Sequence, residues 1–255
     1  MRHNFVNDIG DYGKYALLRA ICSSGPTRVR LGVIWYLTAH TESNGHGRRR
    51  PHLSGEGWDS LDPDLLAQMR KIEDSLRSEE DLRLSLIEQS GILPPDTRFF
   101  SEALPVLGGT TLAKKEQRAS WFVRAQEAIA GCNLLFLDPD NGLETPSAAK
   151  TPRLAGKYVT VDEMVTLLTS GAGVVLYQHS DRSPWARQRD RVVSQITFRL
   201  DTPPAVHSLR FGAFGSRAFI CMATRRDMAE TIRAGLNTLR RRVEHWPKAH
   251  YLTVE

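Results

Sequence analysis

Apolar residues recur along this chain with two periods, and the two alternate. Nearly continuous apolar runs at 31–37, 133–137 and 173–179 have the pattern of strands covered on both faces. Residues 97–102 read as another strand. Residues 206–211 and 217–222 read as a strand pair joined by a glycine-rich turn at 212–215. Between these lie stretches with apolar residues at helical spacing: 11–21, 63–74, 79–89, 113–130, 161–169, 185–196 and 227–245. Asp8 or Asp11 starts the first of them, and Ser23-Ser24-Gly25-Pro26 stops it. Thr160 with Glu163 three residues on forms a capping box ahead of the 161–169 helix.

Strands that alternate with helices need crossover connections, and crossovers make a parallel sheet with helices on both faces. The pattern therefore predicts an α/β chain. Its expected form is a Rossmann-like three-layer sandwich, mainly parallel, with an antiparallel strand near the C-terminus. We read 1–255 as one such domain. It carries two additions: a flexible basic loop at 38–58, rich in glycine and charge, and a helical insertion at 60–92.

Composition changes this picture little. The 34 Lys and Arg against 29 Asp and Glu leave a formal charge of +5, a mild excess that suits a polyanionic partner. No run approaches the roughly 18 apolar residues of a membrane helix, so no membrane partner is expected. Cys22, Cys132 and Cys221 are an odd count without paired spacing. They point to a reduced, cytoplasmic protein without a zinc site.

The densest candidate chemistry is Asp138-Pro139-Asp140-Asn141, at the carboxyl end of a buried strand. Ligands of open parallel sheets bind beyond those ends. The segment is also a run of good turn formers, so a plain turn is its structural alternative. Gln178 and His179 end the next buried strand at the same edge. His179 there suits a base, a ligand or a simple hydrogen-bonding residue. Asp11 and Lys14 share a helix face, which alone describes a local ion pair. Glu102, at a strand end, suits ribose hydroxyls. His52 and His207 stand singly and read as structural. Basic residues gather at Arg48-Arg49-Arg50, between Arg182 and Arg191, and between Arg225 and Arg242. The first group, in a loop near Trp58, suits phosphate contact best.

Arg2-His3-Asn4-Phe5, followed by Asp8-x-Gly10-Asp11-x-x-Lys14-Tyr15, resembles the start of the ribosomal RNA adenine-N6 methyltransferases of the class I fold. That family opens on Arg-His-x-Phe, then Asn-x-Ala-Asp-x-x-Lys-His on its first helix. The resemblance implies S-adenosylmethionine as cofactor and nucleic acid as partner. It puts Lys14 and Tyr15, with Asp11, on the cofactor side. The family's Asp-Pro-Pro-Tyr, which holds the target amine, falls on Asp138-Pro139-Asp140-Asn141. Asp138 and the Pro139 carbonyl would then hold the amine, with Asp140 and Asn141 against the substrate. Two departures stand out. Asn141 replaces the aromatic that stacks on a flipped adenine, and only Gly45 and Gly47 follow the first strand, late and apart. The chain also resembles a group of bacterial and phage proteins with Gly-Asp-x-x-Lys-Tyr and Asp-Pro-Asp-Asn-Gly-Leu-Glu, a likeness that implies no activity.

Two other functions compete. A metal-dependent nuclease or phosphodiesterase would hold Mg2+ on Asp138, Asp140 and Glu144, with His179 or Lys14 near the phosphate. A non-catalytic nucleic-acid-binding module would keep the fold without the reaction.

Overall fold

The computed structural model describes residues 2–38, 49–78, 81–105, 110–145 and 156–255. A short 3-10 turn, His3–Phe5, leads into α1 (Ile9–Cys22). The chain continues through β1 (Leu31–Ile34), α2 (Pro51–Ser54), α3 (Pro63–Ser75), α4 (Leu84–Gln89), β2 (Arg98–Phe100), α5 (Thr111–Ala128) and β3 (Leu134–Leu137). It then forms β4 (Gly142–Leu143), β5 (Tyr158–Val159), α6 (Val161–Thr169), β6 (Gly173–His179) and α7 (Trp185–Thr197). β7 (Ala205–Phe211), β8 (Arg217–Ala223), α8 (Arg226–Glu244), a second 3-10 turn and β9 (Leu252–Val254) complete it.

Seven strands form one sheet in the order β2-β1-β3-β6-β8-β7-β9. The first four are parallel, with Ile34 opposite both Phe100 and Leu137, and Leu137 opposite Leu176. β8 runs antiparallel to both β6 and β7, and β9 antiparallel to β7. The chain is thus α/β with a mostly parallel sheet, as the alternating periods require. The antiparallel pair at 206–222 is where the sequence puts it, and β9 adds a further antiparallel strand that three residues are too few to announce.

Each face of the sheet carries its own core. On one, α1, α3, α4 and α8 pack against Val33, Phe136, Val175 and Phe219. On the other, α5, α6 and α7 pack against Ile34, Leu135, Leu137 and Leu176. The alternation of neighbouring strand residues between the two clusters is the pleat of the sheet. The second core encloses an ion pair: Arg118 Nε and Nη2 meet both oxygens of Glu163 at 2.6 and 2.9 Å. Its guanidinium lies over the rings of Tyr36 and Trp121. Glu163 also closes the Thr160 capping box.

α1 has twelve of its fourteen residues buried, including Asp11 and Lys14. Gly10 lets it lie against the sheet edge, because a Cβ there would stand 2.6 Å from Arg217 Nη1. Asp8, not Asp11, is the N-cap, and its Oδ1 accepts from Gly10 N at 2.9 Å.

The basic loop expected at 38–58 needs correction over residues 49–58. Pro51–Ser54 is helical, and His52 and Trp58 are buried. The apolar content of that stretch explains it: Trp58 stacks on Tyr251 and meets Tyr12, His52 and Trp246 edge-on. Residues 39–48 lie outside the described residues. The expected insertion at 60–92 holds α3 and α4; α4 runs from Leu84, and residues 79–80 of the helix expected at 79–89 lie outside the described residues.

Candidate functional site

The sheet edge at the carboxyl ends of β3 and β6 opens on a cleft of about 400 Å3. The first turns of α1, the segment after β3, the end of β6 and the β7–β8 turn line it, with Arg2, Phe5 and Arg49 at its sides.

Asp138-Pro139-Asp140-Asn141 does not fold back as a tight turn. Asp138 N continues the β1–β3 ladder by donating to Ile34 O, and Asn141 N donates to Lys157 O at the start of the β4–β5 pair. Asn141 O accepts from His179 N, and Gln178 Oε1 accepts from Leu143 N, so the tip of β6 fixes the segment. Gly142 is required there: its φ is 117°, and a Cβ would stand 2.2 Å from Gln178 Oε1.

Lys14 organises the cleft floor. Its Nζ lies 2.7 Å from Asp11 Oδ1 and 2.8 Å from Asp138 Oδ2, and all three side chains are about 4% exposed or less. The sequence shows only the Asp11–Lys14 spacing; the second partner comes from 124 residues away. Burial opposes the charge on Lys14, but the two carboxylates outweigh it and hold the ammonium above its ordinary pKa. Burial raises Asp11 to about 6, with Lys14 pulling the other way and Asp138 and Asp8 adding to the rise. Asp11 Oδ2 also accepts from Asn7 N at 3.0 Å.

Asp140 pairs with Arg2 Nε at 3.1 Å. Burial opposes its ionisation, yet the positive charge around it, Arg2 included, holds it below the usual carboxylate range. His179 stands at the rim, with Nδ1 3.5 Å from the Tyr177 hydroxyl. Burial and then Arg217 lower its pKa, so the ring is neutral at pH 7. Burial pushes Tyr177 up to about 12.

Asp138, Asp140, Asn141, His179, Asp11 and Lys14 therefore line one cleft. Other sequence candidates do not. Tyr15 is fully buried in the first core, and burial raises its hydroxyl well above the phenol range. Glu102 lies on the surface and takes both of its carboxylate contacts from Arg124, at 2.6 and 2.9 Å. The arginine triplet divides: Arg49 lines the cleft, Arg50 turns to Glu73 at 3.0 Å, and Arg48 lies outside the described residues. Asp138 is 2% exposed and ion-paired, so it is not the solvent-facing residue that a strand tip suggests.

The magnesium trio does not assemble. Glu144 Oε1 accepts from Val161 N at 2.9 Å and is absent from the cleft lining. Among the described residues no group of three or more His, Cys, Asp or Glu side chains is arranged to hold a metal ion. No helix is long and apolar enough to cross a membrane, among the same residues.

Reasoning from sequence missed Arg2 and Arg217. Both line the cleft; Arg2 stands in the Arg-His-Asn-Phe opening without a role assigned to it there, and Arg217 belongs to no motif that a sequence pattern would flag. Neither any family model nor any curated protein matches this chain.

Proposed function

We propose that this chain is an S-adenosylmethionine-dependent methyltransferase-like protein of Rossmann-like architecture that acts on nucleic acid. The observation that carries the reading is the strand order together with the place of the acidic segment. Parallel β2-β1-β3-β6 is followed by β8, antiparallel and inserted between β6 and β7. This is the layout implied by the resemblance in the N-terminal and Asp138 segments. Asp138 leaves the strand whose tip would present a target amine.

The residues present fit the cofactor's charge. Asp11 and Asp138 line the cleft and place negative charge beside a cationic ligand bearing an ammonium and a sulfonium. Asp11 and Lys14 are the two cofactor-side residues that reach the cleft. When bound, S-adenosylmethionine supplies an electrophilic methyl group. The chain's own residues do the positioning. Lys14 holds the Asp138 carboxylate in one orientation, and Asp138 with the Pro139 carbonyl accepts hydrogen bonds from the exocyclic amine of the base. Asp140, ionised and steadied by Arg2, and Asn141 hold the far side of the base. Free Cys22, Cys132 and Cys221 suit the reducing cytoplasm.

The binding-module reading has one observation of its own: Lys14 already engages Asp138, so the acid also serves the fold. One experiment separates the two. Purified protein is titrated with S-adenosylhomocysteine by calorimetry, then incubated with methyl-labelled cofactor and total RNA or DNA. Saturable binding with label on nucleic acid supports the enzyme. Nucleic-acid binding without cofactor binding or label leaves the module.

A further inference from the structure

We propose that the side of the cleft bounded by Arg49 and Arg217 receives a phosphate group of the substrate. The inference deepens the nucleic-acid reading above and rests on it.

The argument is one of charge assignment. Four carboxylates and four cations line the cleft, but they are not evenly matched. Lys14 stands between Asp11 and Asp138, and Arg2 pairs with Asp140. Asp8 spends both oxygens on backbone, accepting from Gly10 N at 2.9 Å and Arg49 N at 3.3 Å. Two guanidinium groups remain without a hydrogen-bonded carboxylate. Arg49 Nη1 donates to a neutral acceptor, Phe214 O, at 2.7 Å. Arg217 Nη1 stays 3.9 Å from Asp8 and has no hydrogen-bond partner among the described residues.

Both groups are held in place. Ile9 N donates to Arg49 O at 2.8 Å, which straps residue 49 across the start of α1 while its side chain reaches the β7–β8 turn. Arg217 opens β8 and lies over Gly10, where a side chain would displace it. Its side chain is 15% exposed, so the charge is largely desolvated and still borders the cleft. A largely desolvated guanidinium fork whose nearest carboxylate stays at 3.9 Å without a hydrogen bond is a poor end state, and the oxygens of a phosphate match the fork. His179 beside it is neutral, so it offers a hydrogen bond rather than a competing charge. A base over Asp138 and a phosphate at Arg217 would share one cleft of about 400 Å3.

The phosphate could come from the backbone of a nucleic acid chain or from a free nucleotide. Fluorescein-labelled mixed-sequence RNA and DNA 12-mers, followed by anisotropy across a salt series, report the first. A mixture of the four 5′-monophosphates against the same nucleosides, followed by melting temperature, reports the second. Arg217→Gln removes the fork. Gly10→Ala keeps the charge but pushes the guanidinium aside, and so tests position in a protein that retains all its arginines. Arg226→Gln, 93% exposed on α8, is the charge control. We expect Arg217→Gln and Gly10→Ala to weaken the responding probe about ten-fold or more relative to the control. For the 12-mers, the salt dependence of log K should also become shallower by about 0.7–0.9 in Arg217→Gln, the share of one phosphate. A response to 12-mers assigns the phosphate to the nucleic acid backbone, and a response to monophosphates alone assigns it to a free nucleotide. The subsite is overturned if neither probe binds wild-type protein, or if both variants match the control. Failure here with intact cofactor binding and methyl transfer would leave the enzyme reading standing. The reverse result would remove the cofactor and keep the subsite.

Discussion

Two buried charge clusters flank the sheet, and they differ in ways that separate a site from a scaffold. Arg118 and Glu163 are matched one to one, joined through both carboxylate oxygens, covered by two aromatic rings and tied into a helix cap. Lys14 faces two carboxylates, borders an open cleft, and leaves one of them with a pKa of about 6. The first arrangement satisfies every charge locally. The second holds an excess acid close to ionisation balance beside solvent, a disposition found where chemistry or recognition needs an adjustable charge.

Substitutions can break this contrast. The largest effect is expected from Lys14→Met. It leaves Asp11 and Asp138 buried together without a cation, and breaking a buried pair costs about 3–5 kcal/mol. For a chain of this size, that lowers the melting temperature by roughly 6–20 °C. The loss should be smaller at pH 5 than at pH 8, because a protonated Asp11 no longer repels Asp138. Equal losses at both values would remove the idea of an excess acid.

Arg118→Met should cost a similar or slightly smaller amount, about 2–4 kcal/mol, since it strands one carboxylate rather than two. Ligand affinity measured on the protein that remains folded should be unchanged. A drop in affinity would mean that the two faces are coupled and the contrast fails.

Asp138→Asn keeps the shape and loses the charge. A cost of about 1–3 kcal/mol in urea melts is expected, with loss of methyl transfer. Full activity in the folded variant would return Asp138 to the scaffold.

A smaller effect concerns pH. Asp11 is raised in the folded state, so between about pH 4 and pH 6 the folded protein binds more protons than the unfolded chain. This group therefore adds stability at low pH and loses it as pH rises through 6. Asp11→Asn should flatten that part of the stability profile, read from urea melts at half-unit steps.

The smallest effect should come from Glu102→Gln. Surface changes of this kind usually stay within about ±0.5 kcal/mol, and cofactor titration should be unaltered. A weakened cofactor would restore the role that its strand-end position suggests.

The strands of the sheet centre were legible because runs such as 134–137 and 173–176 are wholly apolar and have no alternative to burial. β4, β5 and β9 were not, because two or three residues carry no period. The acidic segment and the Asp11–Lys14 spacing could be read in sequence. Their convergence could not, since it depends on how α1 lies on the sheet. Arg217 left a faint trace: a charged residue opening an otherwise apolar strand, matched by Gly10 in a helix that would otherwise prefer a side chain. Glu102 misled for a physical reason. A strand-end acid can turn to the cleft or to the neighbouring helix, and Arg124 on α5 decides the matter.

The burial of α1 has a consequence for synthesis on the ribosome. This helix is translated more than 180 residues ahead of β7 and α8, which cover it. At 5–20 residues per second, its apolar surface waits roughly 10–40 s for that cover. Over that interval Tyr12, Leu17, Leu18 and Ile21 are candidates for chaperone binding. A chain stalled before α8 should be held as an aggregation-prone species rather than as a smaller folded protein. Cooperative folding then has to start from contacts distant in sequence, which favours slow over fast assembly.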